Sequence, residues 1–155
     1  MRPRAGSPIQ ASTGKSGSLF YVAGSGAETL NAGKSTTNNL VFGGSDARGA
    51  DIIIAGQGND TLVAGQAAAT LTGSGNADQF FFIQSLTGGA GNTDVVTNFS
   101  TLNGSVALFG YGQSAAAIVA SAATAAGNTT LTLSDNTRIT FLNVSSASAL
   151  HLTSS

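Results

Sequence analysis

The 155-residue sequence contains no cysteine, no tryptophan, one histidine and only two prolines. Without cysteine the chain has no disulfide, no thiolate zinc site and no cysteine nucleophile, so its fold must be held by packing, hydrogen bonds or an oxygen-ligated cation. Six Lys or Arg and seven Asp or Glu are too few charges for a helical bundle or a coiled coil. A formal net charge of -1 lacks the positive surface of a nucleic-acid binder, so no nucleic-acid partner is expected.

Long hydrophobic runs are also missing. No stretch approaches the roughly 20 apolar residues that cross a bilayer, and we therefore predict no membrane insertion. The basic start, Met1-Arg2-Pro3-Arg4, is not followed by a hydrophobic segment within residues 5–18, so a Sec-type signal peptide is not expected. The length suits one domain or one elongated array.

Glycine, in contrast, occurs 21 times and marks an internal repeat. Large apolar residues recur at spacings that settle into nine residues, at Leu30, Leu40, Ile53, Leu62, Leu71 and Phe80. The positions two before them are Glu28, Asn38, Asp51, Asp60, Ala69 and Asp78. Gly-rich turns precede these positions, and the clearest units span residues 23–30, 55–62 and 73–80. They are degenerate forms of the nonapeptide G-G-x-G-x-D-x-U-x.

On these units the chain resembles the repeats-in-toxin (RTX, hemolysin-type calcium-binding) family, clearly over residues 23–82 and less specifically to about residue 150. The resemblance implies a right-handed parallel β-roll, in which turns two units apart stack and hold calcium between them. We therefore expect an all-β fold, namely a β-roll (a β-helix-like solenoid) followed by a β-rich C-terminal cap with hairpins. One unit cannot bury its apolar side chain alone, whereas stacked units can.

The geometry that the resemblance implies pairs acidic positions on stacked turns. Asp60 pairs with Asp78, Asp51 with Ala69, Asn38 with Asp60, and Glu28 with Asp51. Only the first pair keeps two aspartates, so we predict one competent calcium site and at most two weak ones. Its metal ligands are the carboxylates of Asp60 and Asp78, with Asp51 as a secondary ligand and the turn backbones of Gly56, Gly58, Gly73 and Gly75 as carbonyl donors.

An interpretation without metal stays open for the same carboxylates. Asp and Asn in Gly-rich turns often cap their own backbone through hydrogen bonds. For Asp51 the sequence favours backbone capping and calcium binding equally, whereas for Asp60 and Asp78 it favours calcium binding.

Three regions are expected along the chain: a flexible leader or stub at 1–18, the degenerate repeats at 19–82 and the cap at 83–155. In the cap, residues 93–99 and 105–109 are predicted strands, and residues 114–120 form a short helix or an edge strand. Two hairpins follow, with turns at Gly127-Asn128 and Asp135-Asn136. Leu131, Leu133, Ile139 and Phe141 should face one core. The cap resembles the segment that follows the repeats in type I secretion substrates, which implies a C-terminal export signal.

Catalytic motifs are weak. Residues 32–36 (AGKST) imitate the end of a phosphate-binding loop, but Glu28 stands where its first glycine would fall. His151 has no acid nearby in the sequence, and Asp94 and Asp135 lie on different elements, so a paired-acid glycosidase has no support. We predict that the chain is not an enzyme.

The predicted function is a calcium-binding RTX-like module that supports secretion and extracellular folding of an exported bacterial protein. Its expected partners are calcium and an ABC-type exporter of a type I secretion apparatus, and its expected location is extracellular by a non-Sec route. The alternative is a structural or adhesive cell-surface β-solenoid module with incidental metal binding. A third interpretation is a fragment of a β-helical polysaccharide-processing enzyme.

Overall fold

The structure, a computed structural model, describes residues 9–10, 18–44, 49–86 and 91–155. The predicted leader at 1–18 therefore lies outside the described residues, apart from the backbone of residues 9–10 and residue 18. No helix among the described residues is long and apolar enough to span a membrane.

Fourteen strands and two short helices make up the described part of the chain. The strands are β1 (Ile9–Gln10), β2 (Phe20–Val22), β3 (Thr29–Asn31), β4 (Leu40–Phe42), β5 (Asp51–Ile54), β6 (Thr61–Val63), β7 (Ala69–Thr72), β8 (Gln79–Ile83), β9 (Thr93–Thr97), β10 (Ser105–Phe109), β11 (Ala123–Ala125), β12 (Asn128–Thr132), β13 (Arg138–Phe141) and β14 (Leu152–Ser154). The helices are α1 (Ala115–Ser121) and a 3-10 helix (Ala147–Leu150).

Consecutive strands alternate between two sheets as far as β10. The larger sheet has the order β1-β3-β5-β7-β9-β13-β12-β11, and the smaller one has the order β14-β10-β8-β6-β4-β2. Every pairing in the smaller sheet is parallel. The larger sheet is parallel from β1 to β13 and antiparallel from β13 to β11, so it is a mixed sheet.

The prediction of an all-β, right-handed parallel β-roll with a β-rich cap is wrong as a fold class. The described residues form a mixed α/β arrangement of two sheets with helix α1, and no closed solenoid is seen in them. The physical reasons are local. The Ala-rich run after residue 114 favours helix over strand, and the Ser114 side chain caps the helix by accepting the Ala117 N–H at 3.2 Å. Left-handed turn residues then reverse the chain, with φ of 51° at Ala126 and 66° at Asn136, which makes the last strands antiparallel.

The nine-residue spacing predicts the inward side chains of the regular units correctly. Ile53, Leu62, Leu71 and Phe80 have no measurable exposure. They lie in one hydrophobic core with the cap residues Leu131, Leu133, Ile139 and Phe141, as the alternation of the hairpins predicts. Parallel pairing and the core both continue past residue 82, because β9 pairs with β7 and β10 pairs with β8.

The register of β4 differs from the prediction by one residue. Val41 lies opposite Leu62 and is buried, whereas Leu40 lies opposite Thr61 and is 38% exposed. Since side chains of a strand alternate between its two faces, a shift of one residue exchanges the inward and outward sets. The polar residue opposite Asp60 is consequently Asn39, not Asn38.

Candidate functional site

Four aspartates occupy equivalent inward positions where strands begin. Asp51 is the first residue of β5, Asp60 and Asp78 immediately precede β6 and β8, and Asp94 is the second residue of β9. All four are buried, with at most 3% of their surface exposed. An ionised carboxylate in such a place requires hydrogen bonds or a cation.

Asp60 is capped by three N–H donors. Its Oδ1 accepts the backbone N–H of Asn39 at 2.7 Å and the side-chain Nδ2 of Asn39 at 2.6 Å. Its Oδ2 accepts the backbone N–H of Gly56, four residues earlier, at 2.7 Å. One carboxylate thus closes its own turn and joins it to the preceding turn in the stack.

Asp78 repeats this arrangement one turn further on. Its Oδ1 accepts the backbone N–H of Asp60 at 2.9 Å, across 18 residues. Its Oδ2 accepts the backbone N–H and the hydroxyl of Ser74, at 2.6 and 2.9 Å. Asn39 occupies the same position one turn before Asp60, and its Oδ1 lies 3.3 Å from the Leu19 nitrogen. We call Asn39, Asp60 and Asp78 the capping column.

Burial is the largest influence on Asp60 and raises the pKa of its carboxyl. The hydrogen bonds from Asn39 and Gly56 lower this pKa, and the nearby charge of Asp78 raises it again. The two carboxylates that sequence reasoning paired are therefore electrostatic neighbours.

Asp51 lies on the other sheet, away from the capping column. Its Oδ1 accepts the Glu28 N–H at 3.1 Å, and the residue opposite it on β7 is Ala69, as the repeat predicts. The Ala69 N–H is bound by Asp94 Oδ1 at 2.9 Å. The Glu28 carboxylate does not reach across to Asp51 in these bonds, because its Oε2 accepts the N–H of Gly24 within its own turn.

The four predicted carbonyl donors are turn glycines that approach neighbouring backbone. A Cβ on Gly56 would lie 2.7 Å from Asn39 Nδ2, and a Cβ on Gly58 would lie 2.5 Å from the Thr37 oxygen. A Cβ on Gly73 would lie 2.9 Å from the Asn98 oxygen, and Gly75 has a φ of 84°, which an L side chain rarely adopts. Close stacking of turns and backbone conformation therefore account for glycine at these positions.

Asparagine amides bridge carbonyls of adjacent turns. Asn76 Nδ2 donates to the Gln57 oxygen at 2.8 Å, and Asn98 Nδ2 donates to the Gly73 oxygen at 2.9 Å. On the other side of the stack, Asn92 Nδ2 donates to the Ala67 oxygen at 3.2 Å. Each amide NH₂ group thus donates a hydrogen bond to a turn carbonyl, the kind of oxygen that could otherwise coordinate a cation.

The residues present do not fit a calcium ion as they are arranged. Calcium takes six to eight oxygen ligands, at roughly 2.3 to 2.6 Å. Both oxygens of Asp60 and of Asp78 already accept N–H or hydroxyl donors, and the Gly73 carbonyl accepts an amide. Among the described residues, no group of three or more His, Cys, Asp or Glu is placed to hold a metal. Each carboxylate keeps about one acceptor position beyond its three donors, which is far fewer than the six to eight oxygens that calcium takes.

The remaining sequence features have structural partners. The Ser35 hydroxyl, in the segment that imitates a phosphate loop, donates to Asn39 Oδ1 at 3.1 Å and supports the capping column. His151 Nδ1 lies 2.8 Å from the Gly104 oxygen, and the backbone of His151 is left-handed where it ends the 3-10 helix.

Sequence reasoning missed the polar residues that complete the site. Asn39 was hidden by the one-residue shift of β4, although the pair Asn38-Asn39 offered both choices. Ser74, Asn76 and Asn98 lie in turns and carried no periodic signal. Comparison of the chain with protein-family models, with curated proteins and with solved structures found no match.

Proposed function

We propose that this chain is a non-catalytic structural module whose stacked turns are joined by side-chain hydrogen bonds and do not depend on calcium. The observation that carries this proposal is the capping column. Asp60 and Asp78 each accept three donors, and these donors include backbone N–H groups of the preceding turn. The module would be folded wherever it is released, without needing an ion to neutralise its carboxylates.

The chemistry of the turns supports this role. In a site where carboxylates are crowded around a cation, loss of the cation leaves the carboxylates to repel one another. In the capping column, by contrast, N–H groups donate to both oxygens of Asp60 and of Asp78. The resemblance of residues 23–82 to RTX repeats supports placing the module in an exported protein. An adhesive role would use the outer face of the smaller sheet, where Phe20 is 68% exposed and Val22 is 46% exposed.

A calcium-binding secretion module is the second candidate. Its support is the contact between the two turns, since the Asp60 N–H lies 2.9 Å from Asp78 Oδ1. Two carboxylates are thus stacked 18 residues apart, as the RTX resemblance implies. For calcium to bind, the turns would have to bring further oxygens to the acceptor positions that the three donors leave free on each carboxylate.

Urea unfolding followed by circular dichroism separates the two candidates. The chain is compared in EDTA, in about 10 mM calcium and, as a matched control, in the same concentration of magnesium. We expect a cooperative β signal in EDTA and a calcium gain below about 0.5 kcal/mol in the free energy of unfolding. A site with a dissociation constant near 0.1 mM would add about 2.7 kcal/mol at this concentration.

A chain that is unfolded in EDTA and folds in calcium, but not in magnesium, would replace the structural module with the calcium module. In that case Asp60→Asn combined with Asp78→Asn should abolish the response. Calorimetric titration would then give the number of bound ions directly.

A further inference from the structure

Asp94 lies at the junction between the parallel strands and the C-terminal hairpins. Its strand, β9, pairs with β7 on one side and with β13 on the other, and Asp94 is directly opposite Ile139 of β13. The side chain has no measurable exposure. Any change of charge on this carboxyl therefore occurs inside the junction.

The hydrogen bonding of Asp94 is incomplete compared with that of the capping column. Its Oδ1 accepts the Ala69 N–H at 2.9 Å, whereas Oδ2 is buried and has no hydrogen-bond partner within the described part of the chain. Asp60 and Asp78 each accept three donors in equivalent positions. A buried carboxylate with one oxygen unsatisfied is costly, and protonation lowers that cost.

Charged groups near β9 do not offset a negative charge there. Strand β7 has no ionisable side chain, and β8, β10, α1, β11, β12, the 3-10 helix and β14 have none either. Arg138 on β13 is exposed, while its neighbour Ile139 faces the core. Two other acids lie on neighbouring elements and have the same sign as Asp94. Asp51 lies across Ala69 on β5, and Asp135 lies in the β12–β13 turn, where its Oδ2 is likewise buried and has no hydrogen-bond partner among the described residues. Asp78 precedes β8 in the smaller sheet, and His151 binds the Gly104 oxygen.

We propose that Asp94 is a proton-operated latch, which holds the C-terminal hairpins against β9 when its carboxyl is protonated and weakens that junction when it ionises. The latch is a conformational device of the fold and is independent of whether the turns bind calcium.

The direction of the pH effect follows from burial. Burial raises the pKa of Asp94 from 3.8 to about 7, and the Ala69 N–H opposes this only in part. The folded chain therefore retains a proton that the unfolded chain has lost. The stability that Asp94 contributes is fully present below about pH 4 and is lost as the pH rises through about 7. Over that window the unfolding equilibrium constant increases by up to about tenfold for each pH unit.

Urea unfolding from pH 5 to 8 tests the latch in the full chain. We expect the unfolding constant of the wild type to rise by up to about tenfold per pH unit below pH 7, and that of Asp94→Asn to lose this rise. Glu28→Gln is the control, since the Glu28 carboxylate accepts the Gly24 N–H in an exposed turn, and this variant should keep the rise. An Asp94→Asn variant with the wild-type slope would overturn the proposal.

Two measurements on the wild type keep the proposal testable if Asp94→Asn does not fold. The first is ¹³C NMR titration of the Asp94 carboxyl, for which a midpoint near 7 is expected and a midpoint near 4 would contradict the latch. The second is hydrogen exchange of the Arg138 and Leu142 amides, which bond to β9 residues or their neighbours at 2.8 and 2.9 Å. After correction for intrinsic rates, their exchange should accelerate from pH 5 to 8 relative to that of Ala64. Equal changes at all three amides would contradict the claim that ionisation weakens the β9–β13 junction locally.

Discussion

Asp78 and Asp94 are the same residue type in two different sheets, and each lies two residues before a fully buried apolar side chain, Phe80 or Val96. Asp78 receives donors from the preceding strand and from Ser74 of its own turn. Among the described residues, the only donor to Asp94 is the Ala69 N–H of β7, the neighbouring strand in its sheet. The two aspartates differ at their second carboxylate oxygen, Oδ2, which accepts two donors in Asp78 and none among the described residues in Asp94. At Asp60, hydrogen bonds to both oxygens lower the pKa that burial raises, whereas at Asp94 only the Ala69 N–H opposes burial and the pKa is raised to about 7.

The largest expected effect comes from removing a fully capped carboxylate. Asp60→Ala leaves two Asn39 donors and the Gly56 N–H without an acceptor in a buried place, so we expect a loss of about 4 kcal/mol in the free energy of unfolding. Asp94→Ala removes one bond but also removes the buried charge that weakens the fold at pH 7, so it should lower the free energy of unfolding at that pH little or not at all. Urea unfolding measures both, and equal losses for the two variants would break the comparison.

An intermediate effect is expected from restoring a carboxylate on the other sheet. Ala69→Asp places a buried acid between Asp51 and Asp94, where no donor from Ser74 or Gly56 is available, and should cost about 3 kcal/mol at pH 7. Thr70→Asp, on the outward-facing side of the same strand, is the control and should cost less than about 1 kcal/mol. Measurement at pH 5 should reduce the loss for Ala69→Asp, because protonation removes the repulsion. A stabilised Ala69→Asp variant would show that the second sheet tolerates a full column of carboxylates.

The smallest expected effect comes from the side-chain amide of Asn98, which follows β9 and donates to the turn between β7 and β8. Asn98 has a φ of 54°, and its Nδ2 donates to the Gly73 oxygen. Asn98→Ala loses the bond and strains the left-handed backbone, so we expect a loss of about 2 kcal/mol. Asn98→Gly relieves the strain and should lose about 1 kcal/mol. If both variants unfold at the same urea concentration as the wild type, the hydrogen bond from the Asn98 amide does not stabilise the turn at Gly73.

Much of the repeat was predictable because its signal is periodic. The positions of Ile53, Leu62, Leu71 and Phe80, and the stacking of Asp60 beside Asp78, follow from units of nine residues. The register of β4 was not predictable in the same way, since the units before it are longer, and Leu40 and Val41 are both apolar. Packing alone selects Val41 for the core.

The sequence predicted the two carboxylates of the candidate site, Asp60 and Asp78, but not the donors that hydrogen-bond to them. Ser74 donates two hydrogen bonds to Asp78, and Asn98 donates one to Gly73. A single polar residue in a glycine-rich turn shows no periodic pattern in the sequence. The fold class failed for a related reason. Helix α1 and the antiparallel hairpins depend on a local cap and on left-handed turn residues, whereas the resemblance rested on residues 23–82.

The sequence by itself determined the glycine turns, the inward apolar positions and the placing of an acid where the regular strands begin, because these depend only on local conformation and a fixed period. The tertiary structure alone decided which oxygen of each acid finds a donor. The donors to Oδ1 lie 18 to 25 positions away along the chain, and the donors to Oδ2 of Asp60 and Asp78 come from the turn four residues earlier. For this reason hydrogen bonds oppose burial at both oxygens of Asp60 and at only one oxygen of Asp94, whose pKa is raised to about 7.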